Sequence, residues 1–201
     1  LPVLAQDAAK TADKKTEPKT LDALVVTAQK REEVMQNVPI AVTALSQQTL
    51  QDTGVRDIKD LQVLVPGLTV TSTQSEAITT ARLRGIGTVG DNIGLESSVG
   101  VVIDGVFRSR NSVGFGDLGE LERIEVLKGP QGTLFGRNTA AGAIYIITRR
   151  PSQISEGRLR VRAGNNDTAH IDGTLNAPIN EHMALRINAL HDETGGWLRD
   201  A

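Results

Sequence analysis

Cysteine is missing from the 201 residues of this chain. Its absence excludes disulfides and thiolate-held metals, and does not identify a compartment. Aromatic side chains make up only 2% of the sequence, too few for a platform of stacked bases. An excess of one charge is also missing: 22 basic and 24 acidic side chains leave a net charge of -2. A nucleic-acid partner leaves a basic footprint, so none is expected. No run of 18 apolar residues occurs, so no transmembrane helix is expected. Strands that cross a membrane carry no such run, and the point does not bear on a β-barrel.

Catalytic patterns are scarce too. The three histidines, His170, His182 and His191, have no second ligand spaced onto a shared face, so no metal centre is expected. There is no Ser-His-Asp set and no activated nucleophile, and the chain reads as a non-enzyme without a cofactor. Gly85-Ile86-Gly87-Thr88-Val89-Gly90 spells GxGxxG. A dinucleotide site needs an apolar strand before that motif and a helix after it. Here Arg82 and Arg84 precede it, and Asp91-Asn92-Ile93-Gly94 follows without helical period. Gly129 to Arg137 lacks the Lys-Ser/Thr of a P-loop. The formal glycosylation sequon Asn166-Asp167-Thr168 is better explained by a tight turn.

What is present divides the chain. Leu1 to Ala5 reads as the tail of an export signal cleaved after Ala5. Gln6 to Thr20 is polar and expected to be disordered. Leu21 to Ala28 (LDALVVTA) interrupts it with a β-prone segment, followed by a charged run to Glu33. Residues 34–150 mix short helices and strands into an α+β domain. Val38 to Leu45 is an expected strand, Ser46 caps a helix over Gln47 to Gln51 that ends near Gly54, and Asp57 to Leu64 forms a second helix. Leu68 to Thr73, Ala81 to Arg84 and Val99 to Asp104 are expected strands. Gly85 to Ser98 and Phe107 to Gly119 are expected loops. Glu122 to Leu127 and Ala143 to Ile147 form a two-strand unit joined by a glycine-punctuated loop with a turn at Thr133 to Gly136. After Pro151 the period becomes two in Arg158 to Ala163, His170 to Ala177 and Ala184 to His191, with turns at Asn165 to Asp167 and Ile179 to Glu181. This alternation suits membrane barrel strands and also an antiparallel sheet with one wet face.

The order of these segments resembles the TonB-dependent outer-membrane receptors of Gram-negative bacteria. Asn37-Val38-Pro39-Ile40, Leu64 to Leu68 (LVPGL), Arg82 to Gly87 (RLRGIG), Val101 to Val106 (VVIDGV) and Leu121 to Thr148 match the family's plug in sequence. The resemblance implies a small mixed sheet with short helices, followed by the first antiparallel strands of a transmembrane β-barrel. A barrel of about 22 strands needs several hundred residues, so the chain reads as a fragment. It implies energised uptake of a scarce nutrient, by default a ferric siderophore, with vitamin B12, a sugar or an aromatic compound as alternatives. A soluble periplasmic adaptor built from a plug alone is the rival from another class. Expected partners are TonB with its inner-membrane energising complex, the outer membrane and an iron-siderophore or similar small ligand.

Site residues follow from the same resemblance. Leu21, Asp22, Ala23, Leu24, Val25, Val26, Thr27 and Ala28 look like the TonB box, an extended segment that adds to a partner's strand. Arg82, Arg84, Arg123 and Glu125 are expected to make plug-to-barrel ion pairs, because buried charges need partners. Asp91, Asn92, Phe107, Arg108, Arg110 and Phe115 are expected in loops that face the ligand. The short stretch between Ala5 and Leu21 implies no N-terminal signalling domain.

Overall fold

The computed structural model describes residues 25–27, 33–55, 58–72, 79–88, 96–108, 120–165, 168–193 and 195. Strands β1 (Val25–Val26) and β2 (Glu33–Val34) form a small antiparallel ladder. A single 3-10 turn, Met35–Asn37, leads to β3 (Ala41–Ser46) and α1 (Gln47–Thr53). The Ser46 hydroxyl accepts from the Thr49 amide at 3.2 Å, and Gly54 closes the helix at φ 72. That N-cap and left-handed C-terminus are the stop signals expected from the sequence. α1 runs two residues beyond the expected Gln51, to Thr53.

The second helix is shorter than expected. α2 covers only Leu61–Leu64, preceded by turns at residues 58–60. Ile58 and Leu61 are fully buried, and Leu64 packs against the same core. The three-residue spacing therefore reported the buried face correctly. Pro66 draws Val65 into extended backbone at φ -112, which ends the helix after one turn.

β4 (Leu68–Ser72), β5 (Thr79–Leu83) and β6 (Ile86–Gly87) make an antiparallel three-stranded sheet. β7 (Val99–Ile103) turns at Asp104 and Gly105 into β8 (Val106–Arg108), which occupies the start of the segment expected as a loop. β9 (Leu121–Lys128) is followed by one helical turn, α3 (Gly132–Phe135), and by β10 (Gly142–Thr148). These strands order as β3-β9-β10-β7-β8, antiparallel except for the parallel pair β10 and β7. The expected two-strand unit is its centre, in register from Gly142 opposite Lys128 to Ile146 opposite Ile124.

Both faces of this central sheet are covered. On one side Ile124, Val126, Ile144 and Ile146 pack with Leu50, Ile58 and Leu61. On the other, Leu127 packs with Val26, Met35, Val42 and Tyr145. Double coverage explains why β10 reads as a nearly continuous apolar run rather than an alternating one.

The last sheet is β11 (Glu156–Gly164), β12 (Thr168–Asn180) and β13 (Met183–Glu193), all antiparallel. Its alternation separates the faces as the sequence predicts. Leu159, Leu175 and Ile187 point outward at 72%, 57% and 52% exposure. His170 and Asn176 are buried on the other face. Asn176 fastens the entering chain, donating to the Ser152 carbonyl at 2.8 Å and accepting from its amide at 3.0 Å. β12 runs to Asn180, so the second turn falls at Glu181 and His182, later than expected. Of the first expected turn, Asn166 and Asp167 lie outside the described residues.

Gly142 tests the central junction. Its φ is 149, and a Cβ there would strike the Leu127 carbonyl and lie 2.6 Å from Leu83 Cδ1. Gly142→Ala is expected to cost about 1–3 kcal/mol through backbone strain. A lower denaturant midpoint at unchanged slope checks this, and an unchanged midpoint would show that the junction yields.

Candidate functional site

Two buried carboxylates flank β9, Glu120 just before it and Glu125 within it, at 5% and 0% exposure. Strand period puts Arg123, Glu125 and Leu127 on the face opposite Ile124 and Val126. Burying a carboxylate is costly unless donors surround it, and the two are satisfied by different parts of the chain.

Glu125 is satisfied by the N-terminal segment. The Thr27 amide donates to both its oxygens, at 2.8 and 3.0 Å, and the Thr27 hydroxyl donates at 3.0 Å. Arg123 Nε donates to the same carboxylate at 2.8 Å, and its Nη2 reaches the Thr27 hydroxyl at 3.3 Å. Arg123 also pairs with Glu122. Val26, next to Thr27, is fully buried and packs in the cluster with Leu127. The N-terminal segment is thus held by an apolar side chain and a charged hydrogen-bond set. Across the sheet Glu125 lies between Ala44 and Tyr145. Tyr145 meets Phe135 edge-on at 5.8 Å. With Thr27 and Phe107 these rings line an open cleft of about 740 Å³. Burial, with the Glu125 and Asp104 carboxylates adding to it, holds the Tyr145 phenol above its ordinary pKa.

Glu120 is satisfied from the other end. Arg149 after β10, Arg158 on β11 and Arg186 on β13 all pair with it, the first two at 3.1 and 3.3 Å. Gln47, the first residue of α1, donates at 3.1 Å. Glu156 joins through Arg149 at 3.1 Å and Arg186 at 3.8 Å. The Arg186 side chain is only 3% exposed. One carboxylate thereby ties the central sheet to two strands of the last sheet. Close by, Arg160 donates to Asp172 at 2.9 Å, and His170 lies between Asp172 and Asp192 at 3.3 and 3.4 Å.

The expected site residues are distributed as follows. Val25, Val26 and Thr27 meet the central domain, whereas Leu21, Asp22, Ala23, Leu24 and Ala28 lie outside the described residues. Among the described residues, Arg123 and Glu125 bond to each other, to Thr27 and to Glu122. Arg84 adopts φ 54 in a turn, and its amide donates to the Gly67 carbonyl at 2.7 Å. Arg82 lies along Gly87, across the β5 and β6 pair. The ion pairs to the last sheet fall instead on Glu120, Arg149, Glu156, Arg158 and Arg186. Sequence reasoning missed these five. The available signal was Glu120 directly before one alternating strand and Arg186 inside another. Phe107 and Arg108 lie in β8 rather than in a loop, because Val106 to Arg108 pairs with Val101 to Ile103. Asp91, Asn92, Arg110 and Phe115 lie outside the described residues.

Known families and proteins give the same outline. The TonB-dependent Receptor Plug Domain model matches residues 34–143. The chain is 29% identical over 187 residues to the iron-regulated outer membrane virulence protein of Vibrio cholerae, covering 84% of this chain and 27% of that protein. It is 31% identical to the vitamin B12 transporter of Vibrio vulnificus, covering 90% and 29% respectively. Among solved structures it is similar to the ferric yersiniabactin uptake receptor of Yersinia pestis, with a TM-score of 0.70 and 26% identity over 75% of this chain and 24% of that one. The chain spans 24% to 29% of the length of these relatives.

Tyr145 is the one tyrosine in the sequence, so phenolate absorbance reads it alone. Its folded pKa is raised above the ordinary 10.0. The neutral phenol is favoured in the fold, so stability is whole below that pH and is lost as pH rises above it. The native titration midpoint should exceed that of the denatured chain, and Tyr145→Phe should retain stability further into alkali. A native midpoint at or below the denatured one would contradict the burial argument.

Proposed function

The chain belongs to the TonB-dependent receptor plug-domain family, and from that premise we propose that it is the plug and first wall strands of a receptor for energised nutrient uptake. The family is one of outer-membrane receptors, and the relatives include a vitamin B12 transporter and a ferric yersiniabactin uptake receptor. In this reading residues 6–33 form a periplasmic tail, 34–150 the plug, and 151–201 the start of the barrel wall.

One observation carries the proposal. The last sheet turns Leu159, Leu175 and Ile187 outward while its opposite face is fastened to the domain through Glu120. A wall strand between lipid on one side and a plug on the other needs that division. A soluble adaptor would leave the apolar face in water, where such patches invite association.

The substrate proposed is a ferric siderophore complex. A receptor named for ferric yersiniabactin is among the structural relatives. The 31% identity to a vitamin B12 transporter favours a corrinoid as the second reading. Val25 and Val26 supply an extended segment to which a strand of TonB adds, main-chain hydrogen bonds giving the affinity. Asp91, Asn92, Arg110 and Phe115 are proposed for the ligand-facing side.

Val25→Pro in the intact receptor tests the reading, because proline removes a main-chain donor and fixes φ. Uptake should fall to background while ligand binding at the cell surface persists. Uptake equal to that of the unaltered receptor would overturn the assignment.

A further inference from the structure

A cleft of about 350 Å³ lies beside Glu120, where the central domain meets the last sheet. It is lined by Arg158, Arg186, Ser155, Thr174 and the carboxylates Glu120 and Glu156. Sheet register explains the grouping. Arg158 lies opposite Thr174 across β11 and β12, and Arg186 lies opposite Asn176 across β12 and β13. The two guanidinium groups therefore flank β12, on the face opposite that of Leu159, Leu175 and Ile187.

The charges of this cluster do not balance. Three guanidinium groups, those of Arg149, Arg158 and Arg186, share two carboxylates. Glu120 Oε1 accepts from Arg149, Arg158 and Gln47, and its Oε2 accepts from Arg186. Glu156 accepts from Arg149 and lies 3.8 Å from Arg186 Nη2, too far for a hydrogen bond. Arg186 is the group left short. Its side chain is 3% exposed, yet neither its Nε nor its Nη2 has a hydrogen-bond partner among the described residues. An arginine keeps its charge in a protein, so it does not escape this cost by losing a proton. A buried charge is tolerated when it is both paired and hydrogen-bonded. Water would satisfy the two donors and leave one positive charge uncompensated.

We propose that this cleft is a binding site for a small oxyanion of the sulfate, phosphate or carboxylate class. The two unpartnered donors of Arg186, Nε and Nη2, form one edge of the guanidinium. That edge is the fork that bonds two oxygens of one anion side by side. Arg158 brings a second cation, with Nη1 on Glu120 at 3.3 Å. Ser155 and Thr174 bring hydroxyls to the same space. Both Glu120 oxygens already face donors, so this carboxylate presents little negative charge to the cleft. A bound monoanion makes the count three charges against three. It ties β11 to β13 at the point where Glu120 alone grips both. The site faces the domain rather than the apolar side of the sheet, so its ligand arrives from water and not from lipid.

The test titrates the full 201-residue chain in detergent with sodium sulfate, followed by calorimetry. Sodium chloride holds the ionic strength constant, so that general screening does not contribute. One saturable site is expected, and the thermal midpoint should rise with sulfate concentration, as binding to the folded state requires. Arg158→Gln leaves the Arg186 pair with Glu120 in place and should weaken sulfate binding by about tenfold, the loss of one charged hydrogen bond. Thr174→Val keeps every charge and should weaken it by less, which decides the matter if the first variant fails to fold. Arg137→Gln, at the exposed pair with Glu96, should leave sulfate binding unchanged. Absence of a saturable site at constant ionic strength would overturn the proposal and leave water as the occupant of the cleft. Sulfate binding unaltered in both Arg158→Gln and Thr174→Val would overturn it too, by placing the anion elsewhere.

Discussion

A carboxylate without donors is not tolerated inside a domain, and two such groups set the arrangement of this one. Glu120 and Glu125 belong to one stretch of chain, five positions apart, and both are buried. Neither is satisfied by its own sheet alone. Glu120 draws arginines from beyond β10 and from β11 and β13. Glu125 draws Thr27 from the far N-terminal side. The two sites differ in kind from the Arg137 and Glu96 pair, where the side chains are 77% and 43% exposed. Exposed pairs of that sort contribute about 0–1 kcal/mol. Removing one partner from a buried pair costs about 3–5 kcal/mol, because the other is left uncompensated. The buried carboxylates therefore determine where the tail and the last sheet sit.

Function follows from where those contacts lie along β9. The strand is rigid, being paired on both sides with β3 and β10. The segment bonded to Glu125, Val25 to Thr27, is the one proposed for capture by TonB. The chain that holds Glu120 is the sheet whose other face is apolar and open.

Local order was readable from the sequence wherever one short segment contained its own reason. The Ser46 cap and Gly54 stop gave α1. Alternation gave the faces of β11 to β13, and the apolar run of Ala143 to Ile147 gave the heart of β10. The second helix shows the limit, since the face of Ile58, Leu61 and Leu64 was right and the length was not. The contacts of the site were not readable for a different reason. Period assigns a side chain to a face but never names the residue opposite. Arg186 is 66 positions from Glu120, and Thr27 is 98 from Glu125. Arg123 and Glu125 stood out as charges on a strand that wanted burial, yet nothing near them in sequence indicated that Thr27 would supply the donors.

The central claim is that the N-terminal segment is held against the domain by the Thr27 bonds to Glu125 and the burial of Val26. Because the chain has no native cysteine, Val25→Cys and Arg137→Cys place two spin labels without interference. The distance between them, read by electron-electron double resonance in the free chain and with the TonB C-terminal domain added, tests the claim directly. The account predicts one narrow distribution in the free chain that becomes broad and longer when the domain is added. A broad distribution in the free chain, unchanged by the domain, would contradict it.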